Sequence, residues 1–97
     1  MKINATIQSG RLILNISQHI TGIIEVNEIK AQIESYNNLR DIQLNIDEAF
    51  VVPSALIEYL VKLSKVDHKN ITIESSSAVC QLFKELQLDT IFTLKIR

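Results

Sequence analysis

Apolar and polar residues alternate with a period of two in five separate stretches of the chain. Successive side chains of a strand point to opposite faces, so this alternation predicts strands with one buried face. Only Ser9-Gly10 separates the first two stretches, which predicts a tight hairpin turn. The apolar positions of the predicted strands are Ile3, Ala5 and Ile7; Leu12, Leu14 and Ile16; Ile42, Leu44 and Ile46; Ile71 and Ile73; and Phe92, Leu94 and Ile96.

Three segments between these strands carry apolar residues at spacings of three and four, the spacing of amphipathic helices. The third segment follows three serines, residues 75–77, which supply candidate N-cap side chains. The apolar stripes are Val26, Ile29, Ile33 and Tyr36; Leu56, Tyr59, Leu60 and Leu63; and Val79, Leu82, Phe83 and Leu86.

The resulting order, β-β-α-β-α-β-α-β, predicts an α/β fold with a mixed, mostly parallel sheet of about five strands. Strands joined through a helix should lie parallel, with right-handed crossovers. Strands covered on both faces read as near-continuous apolar runs, whereas these alternate, so the helices should lie on one face. The opposite face is expected to lie largely in water. A length of 97 residues fits a single domain over residues 1–97.

The amino-acid composition argues against several classes of function. Ten basic residues against eleven acidic ones give a net charge of −1, without the basic stripe of a nucleic-acid-binding protein or a polybasic membrane patch. Cys80 is the only cysteine, so no intramolecular disulfide can form and a reducing compartment is favoured. No segment approaches the roughly 20 apolar residues that span a bilayer. We therefore expect a soluble cytoplasmic protein.

The sequence gives little support for catalysis or for a bound cofactor. A Gly-x-Ser-x-Gly nucleophile motif is absent, and only two glycines are present, too few for a phosphate-binding loop. Asp47 and Glu48 are adjacent in sequence, so their side chains point in different directions. His19 and His68 lack metal-ligand spacing. We therefore expect no enzymatic activity, no cofactor and no metal site.

Residues 49–55, which connect the third strand to the second helix, break the regular pattern. Pro53 suits the first turn of a helix, so Ser54 should lie at or just inside the helix start. A phosphate on Ser54 would be tolerated there by unpaired N–H groups and the helix dipole, although an ordinary first-turn serine is the simpler alternative. The neighbouring Phe50, Val51 and Val52 cannot all face inward. Either two of them pack under the helix or one stays exposed at a partner site.

The element order, residues 50–56 and residues 88–92 together resemble the STAS domain family, named for sulfate transporters and anti-sigma-factor antagonists. Family members read phenylalanine, an aliphatic residue and then Asp-Ser-Ser-Gly-Leu at this junction, and their phosphorylatable serine falls on Ser54. The chain departs from the family pattern at several positions. Val52, Pro53 and Ala55 replace the aspartate, the first serine and the glycine, and Asn45 and Thr21 replace two further aspartates.

This resemblance implies a regulatory interaction module of bacterial signal transduction and transcription regulation, similar to an anti-sigma-factor antagonist. It would dock a kinase-type anti-sigma factor or a signalling scaffold, and phosphorylation of Ser54 would weaken the docking. The alternative is the cytoplasmic STAS subunit of a phospholipid-type ABC transporter, which binds the ATPase constitutively. The candidate partner-binding residues are Gln18, His19, Thr21, Glu48, Phe50, Val52, Pro53 and Ser54.

Overall fold

The computed structural model describes residues 2–17, 20, 22–47 and 52–97. These residues form a five-stranded mixed sheet, three α-helices and one 3₁₀ turn, which confirms the predicted α/β fold. The elements in chain order are β1 (Lys2–Gln8), β2 (Arg11–Ser17), α1 (Ile23–Glu34), β3 (Asp41–Ile46), α2 (Ser54–Lys65), β4 (Asn70–Ser75), α3 (Ser77–Glu85), the 3₁₀ turn (Leu88–Thr90) and β5 (Phe92–Ile96).

The strands lie in the sheet in the order of the sequence, β1-β2-β3-β4-β5. β1 and β2 are antiparallel, and each later strand runs parallel to its predecessor. The hairpin turn is formed by Ser9 and Gly10, whose φ angles of 53° and 77° are both positive. Positive φ at both turn residues is the type I′ geometry, which matches the right-handed twist of the two strands.

A single apolar core lies between the three helices and one face of the sheet. The alternate strand positions Leu14, Leu44 and Ile73 are fully buried in it. The rings of Phe83 in α3 and Phe92 in β5 pack edge to face, with centroids 5.9 Å apart. Each helix contributes most of its predicted stripe to this core. The third stripe is wrong at its end, because Leu86 follows α3 and is 49% exposed.

The other face of the sheet is polar, but its centre is less exposed than the sequence predicts. Arg11 donates to the Gln43 amide oxygen (3.1 Å), Gln43 donates to Asn45 (2.8 Å), and Asn45 donates to Asn15 (2.9 Å). Gln43 and Asn45 are each only 9% exposed. These side chains shield one another because their hydrogen bonds hold them flat across neighbouring strands.

The serines before α3 have separate roles. Ser76 is the N-cap, and its hydroxyl accepts a hydrogen bond from the Val79 N–H at 3.3 Å, as the sequence predicts. Ser75 belongs to β4 and donates to the Ile46 carbonyl at 2.8 Å, which ties β4 to β3. None of the described helices has the length and apolar character needed to cross a membrane.

Candidate functional site

The starts of α1 and α2 lie at the same end of the sheet. β2 and β3 are parallel neighbours, and each runs from its carboxyl end into the connection that leads to its following helix. The helices that follow these strands therefore begin at this end, α1 at Ile23 and α2 at Ser54, as does α3 at Ser77 after the parallel strand β4. In parallel sheets this is the end at which connections build binding sites.

Ser54 is the first residue of α2 and is exposed to solvent. Pro53 occupies the N-cap position, one residue earlier than expected, with φ −58° and ψ 138° and no side-chain cap. The Pro53 carbonyl accepts from the N–H groups of Leu56 (3.0 Å) and Ile57 (3.2 Å). The N–H groups of Ser54 and Ala55 precede these first helical hydrogen bonds, so the helix itself supplies no acceptor for them.

Val52 is part of the core and is only 5% exposed. The sequence leaves open whether each residue of the apolar run before α2 is packed inside or exposed at a partner site. Val52 is packed inside. Its side chain is therefore committed to the core and leaves little surface for the partner contact that the sequence predicts. Its two predecessors in the run, Phe50 and Val51, lie outside the described residues.

The remaining predicted partner-binding residues also lie outside the described part of the chain. They are Gln18, His19, Thr21 and Glu48. Their described neighbours fix where the two connections begin and end. Ser17 and Ile46 close the adjacent parallel strands β2 and β3, while Gly22 and Pro53 lead into the two helices.

An exposed apolar pair opens α1, and the sequence analysis missed it. Ile23 is 58% exposed and Ile24 is 68% exposed. Ile23 lies three residues before the buried Val26, so its spacing resembles a core position. Ile24 lies off the buried stripe, which is the one sequence signal that could have identified it. We call the four residues Ile23, Ile24, Pro53 and Ser54 the carboxyl-end surface.

A charged cluster lies at the same end of the sheet. The Arg97 guanidinium forms an ion pair with Asp47, which follows β3, and its Nε lies 3.5 Å from Glu74 of β4. Main-chain hydrogen bonds hold both residues of this ion pair in place. The Asp47 N–H donates to the Ile16 carbonyl (3.0 Å), and the Arg97 N–H donates to the Ser75 carbonyl (2.9 Å). Asp47 is thus engaged in an ion pair at the surface, while Glu48, its neighbour in sequence, lies outside the described residues.

Side chains with reactive or metal-binding chemistry are scattered in the described part of the chain. No group of three His, Cys, Asp or Glu residues there is placed to hold a metal ion. Cys80 is buried in α3, with its sulfur 3.5 Å from the Lys95 carbonyl. His68 lies in the turn between α2 and β4, at the amino ends of the strands and away from Ser54.

A cavity of about 370 Å³ opens at the amino ends of the strands, between the ends of α1 and α2. The Tyr59 side chain lines it, and the buried Tyr59 hydroxyl has no hydrogen-bond partner among the described residues. Burial, followed by the carboxylates of Glu34 and Asp67, raises the pKa of Tyr59 to about 12. The Lys30 ammonium lies 5.1 Å from the centre of the Tyr59 ring.

The cavity lining mixes both signs of charge and does not define a ligand. Glu34 and Asp67 stand with Lys62 and Lys69 around it. Lys69 is already engaged, because its ammonium donates to the carbonyls of Asn37 (2.6 Å) and Leu39 (2.7 Å) and closes the loop after α1. We therefore interpret this end of the molecule as structural.

No family model matches the chain, and no curated protein matches it at a significant level.

Proposed function

We propose that the chain is a STAS-like protein-docking module of the cytoplasm, a regulatory domain resembling an anti-sigma-factor antagonist. Its partner, a kinase-type anti-sigma factor or a signalling scaffold, contacts the carboxyl-end surface. The observation that carries this proposal is the exposed pair Ile23 and Ile24 at the same end of the sheet as the exposed helix start at Ser54.

The apolar pair supports docking because burying such side chains is favourable. Covering apolar surface is worth about 25 cal/mol per Å², and the central contacts of protein interfaces are largely apolar. Ile23 and Ile24 lie in the first turn of α1, and each is more than half exposed, so both offer apolar surface at this end of the sheet. Exposed apolar patches bordered by polar groups mark interaction sites more often than isolated apolar residues do.

The position of Ser54 supports regulation by phosphorylation. Its hydroxyl is at the surface, and the N–H groups of Ser54 and Ala55 lie ahead of the first helical hydrogen bonds. A phosphate here would interact favourably with the helix start, so modification leaves the fold intact. It would also add about −1.5 to −2 charges beside the apolar pair. A partner would then have to desolvate that charge, which weakens docking.

A constitutive role has its own support and remains the alternative. Two positions that carry an aspartate in the STAS family carry uncharged residues here, Val52 and Asn45. Val52 is packed in the core, and Asn45 points to the polar face of the sheet, where it bonds Gln43 and Asn15. These two positions therefore contribute no negative charge around Ser54. This favours a domain that binds an ATPase of a phospholipid-type ABC transporter without a phosphorylation switch.

Affinity purification from the native host distinguishes the two roles. The baits are the wild type, Ser54→Ala, Ser54→Asp and the matched control Ser77→Asp, which places the same charge on the exposed first residue of α3. We expect wild type, Ser54→Ala and Ser77→Asp to retain a kinase-type anti-sigma factor or scaffold that Ser54→Asp loses. An ABC ATPase retained by all four baits would establish the constitutive role. Equal binding by Ser54→Asp and Ser54→Ala would exclude the switch, and recovery of neither partner class would contradict the proposal.

A further inference from the structure

The two edges of the sheet differ in how well they are protected. β1 has seven residues, contains neither proline nor glycine, and carries its only charge on Lys2 at one end. β5 has five residues, with Lys95 near its centre. Natural edge strands are commonly short, charged or interrupted, because a free edge is a template for pairing with another chain. β1 lacks each of these protections along residues 3–8.

The hairpin determines which groups of β1 are free. The two-residue turn makes Gln8 and Arg11 a hydrogen-bonded pair, and in antiparallel ladders such pairs alternate with non-bonded ones. Asn4 and Thr6 therefore bond to β2. The residues between and beside them, Ile3, Ala5 and Ile7, direct their N–H and C=O groups away from β2, to a side where the described part of the chain places no further strand.

The apolar face of β1 is also incompletely covered. Ile3, Ala5 and Ile7 lie on the core side of the sheet, opposite Ile16, Leu14 and Leu12 of β2. Ile3 and Ala5 are partly buried, but Ile7 is 53% exposed. Cover on the core side of β1 therefore decreases from Ile3 and Ala5, which pack against the core, to Ile7.

The β1 sequence is complementary to itself in an antiparallel arrangement centred on Ala5. In that register Ala5 faces Ala5 of a second copy, Ile3 faces Ile7, Asn4 faces Thr6, and Lys2 faces Gln8. No like charges oppose each other, and each apolar residue stays on the core side. The three free N–H and C=O pairs of each copy meet those of the other.

We infer that two copies of this chain pair through β1 and join their sheets across a twofold axis at Ala5. The inference uses only the edge of the sheet and is independent of the proposed docking function. A second copy is the expected occupant of this edge, because the register pairs the free backbone groups of both strands and opposes no like charges. Pairing would also cover Ile7, the most exposed apolar side chain of β1.

Sedimentation equilibrium of the purified chain between about 1 μM and about 1 mM tests the pairing, since this range covers weak association. The mass should rise with concentration from 11.0 kDa toward twice that value. The double variants Asn4→Lys/Thr6→Lys and Asn4→Glu/Thr6→Glu change exposed positions of the polar face and place like charges opposite each other. Each should remain a monomer by itself, and an equimolar mixture should form a dimer containing one copy of each.

Thr93→Lys is the matched control, because it gives β5 two lysines separated by one residue. It should associate like the wild type. A second interrupting variant, Ala5→Pro, removes one outward N–H without removing a bond to β2, and it should lower the association constant at least tenfold. A wild type that stays at 11.0 kDa throughout would overturn the inference. So would association that both double variants retain, or that Thr93→Lys abolishes.

Discussion

At the scale of single residues, Tyr59 shows where a periodic pattern stops being informative. It lies on the apolar stripe of α2 beside Leu56, Leu60 and Leu63, and the sequence predicts it as a core residue. The three leucines are buried, but the tyrosine lines the cavity at the end of α1. Spacing along a helix defines the face on which a residue lies. It does not reveal whether the neighbouring element extends far enough to supply a partner for the hydroxyl.

Tyr59→Phe should leave the folded protein at least as stable as the wild type at neutral pH. The substitution removes a buried hydroxyl without a partner among the described residues, which costs about 1–3 kcal/mol wherever water cannot reach it. The measurement is the free energy of unfolding in urea. A loss of more than about 1 kcal/mol, the typical value of one hydrogen bond, would show that the hydroxyl has a partner.

The pH dependence of stability gives a second prediction for the same residue. Burial raises the pKa of Tyr59 to about 12 from its ordinary value of 10.0, so the folded protein holds this proton more tightly than the unfolded chain. Between these two pH values the unfolded chain binds fewer protons, and the free energy of unfolding falls as pH rises. Tyr59→Phe should lack this component. Because the variant starts at least as stable as the wild type, the two free energies of unfolding should move apart across that interval, with the wild type falling further. Parallel urea titrations measure this, and a constant difference between the two proteins would contradict the assignment.

At the scale of elements, most of the fold follows from local patterns, because each strand and helix buries one face against a common core. The alternating positions Leu14, Leu44 and Ile73 are buried as predicted, and the Ser76 cap lies where the serine run places it. The sequence could not show that Pro53 precedes α2 as its N-cap. It also could not show that the polar face is shielded at Gln43, since that depends on hydrogen bonds between strands distant in sequence.

The cap of α3 provides a stability prediction with a control next to it. Ser76→Ala removes the acceptor for the Val79 N–H and should lower the free energy of unfolding by about 1 kcal/mol. Ser77→Ala changes an exposed helical residue and should leave stability within about 0.5 kcal/mol of the wild type. Urea denaturation of both variants measures the difference. Equal losses would indicate that the Ser76 hydroxyl does not cap the helix.

At the scale of the whole molecule, the two ends of the sheet have different characters. The amino ends carry a cavity with mixed charge, closed in part by Lys69 bonding to the loop after α1. The carboxyl ends carry an exposed apolar pair and the start of α2, where the N-cap residue Pro53 makes no side-chain cap. The resemblance to STAS domains indicates the carboxyl ends, because the candidate phosphorylation site Ser54 lies there. The contribution of Ile23 and Ile24 could be recognised only once the fold showed that both are exposed.

The most direct test of docking at the carboxyl-end surface is the affinity of the purified chain for the partner recovered with it, measured for two variants. Ile24→Asp changes a residue that is 68% exposed at this surface, and Val66→Asp changes one that is 62% exposed at the opposite end of the sheet. The account predicts that Ile24→Asp weakens binding at least tenfold, about 1.4 kcal/mol, while Val66→Asp binds like the wild type. Unchanged binding by Ile24→Asp, or an equal loss in both folded variants, would contradict docking at this surface.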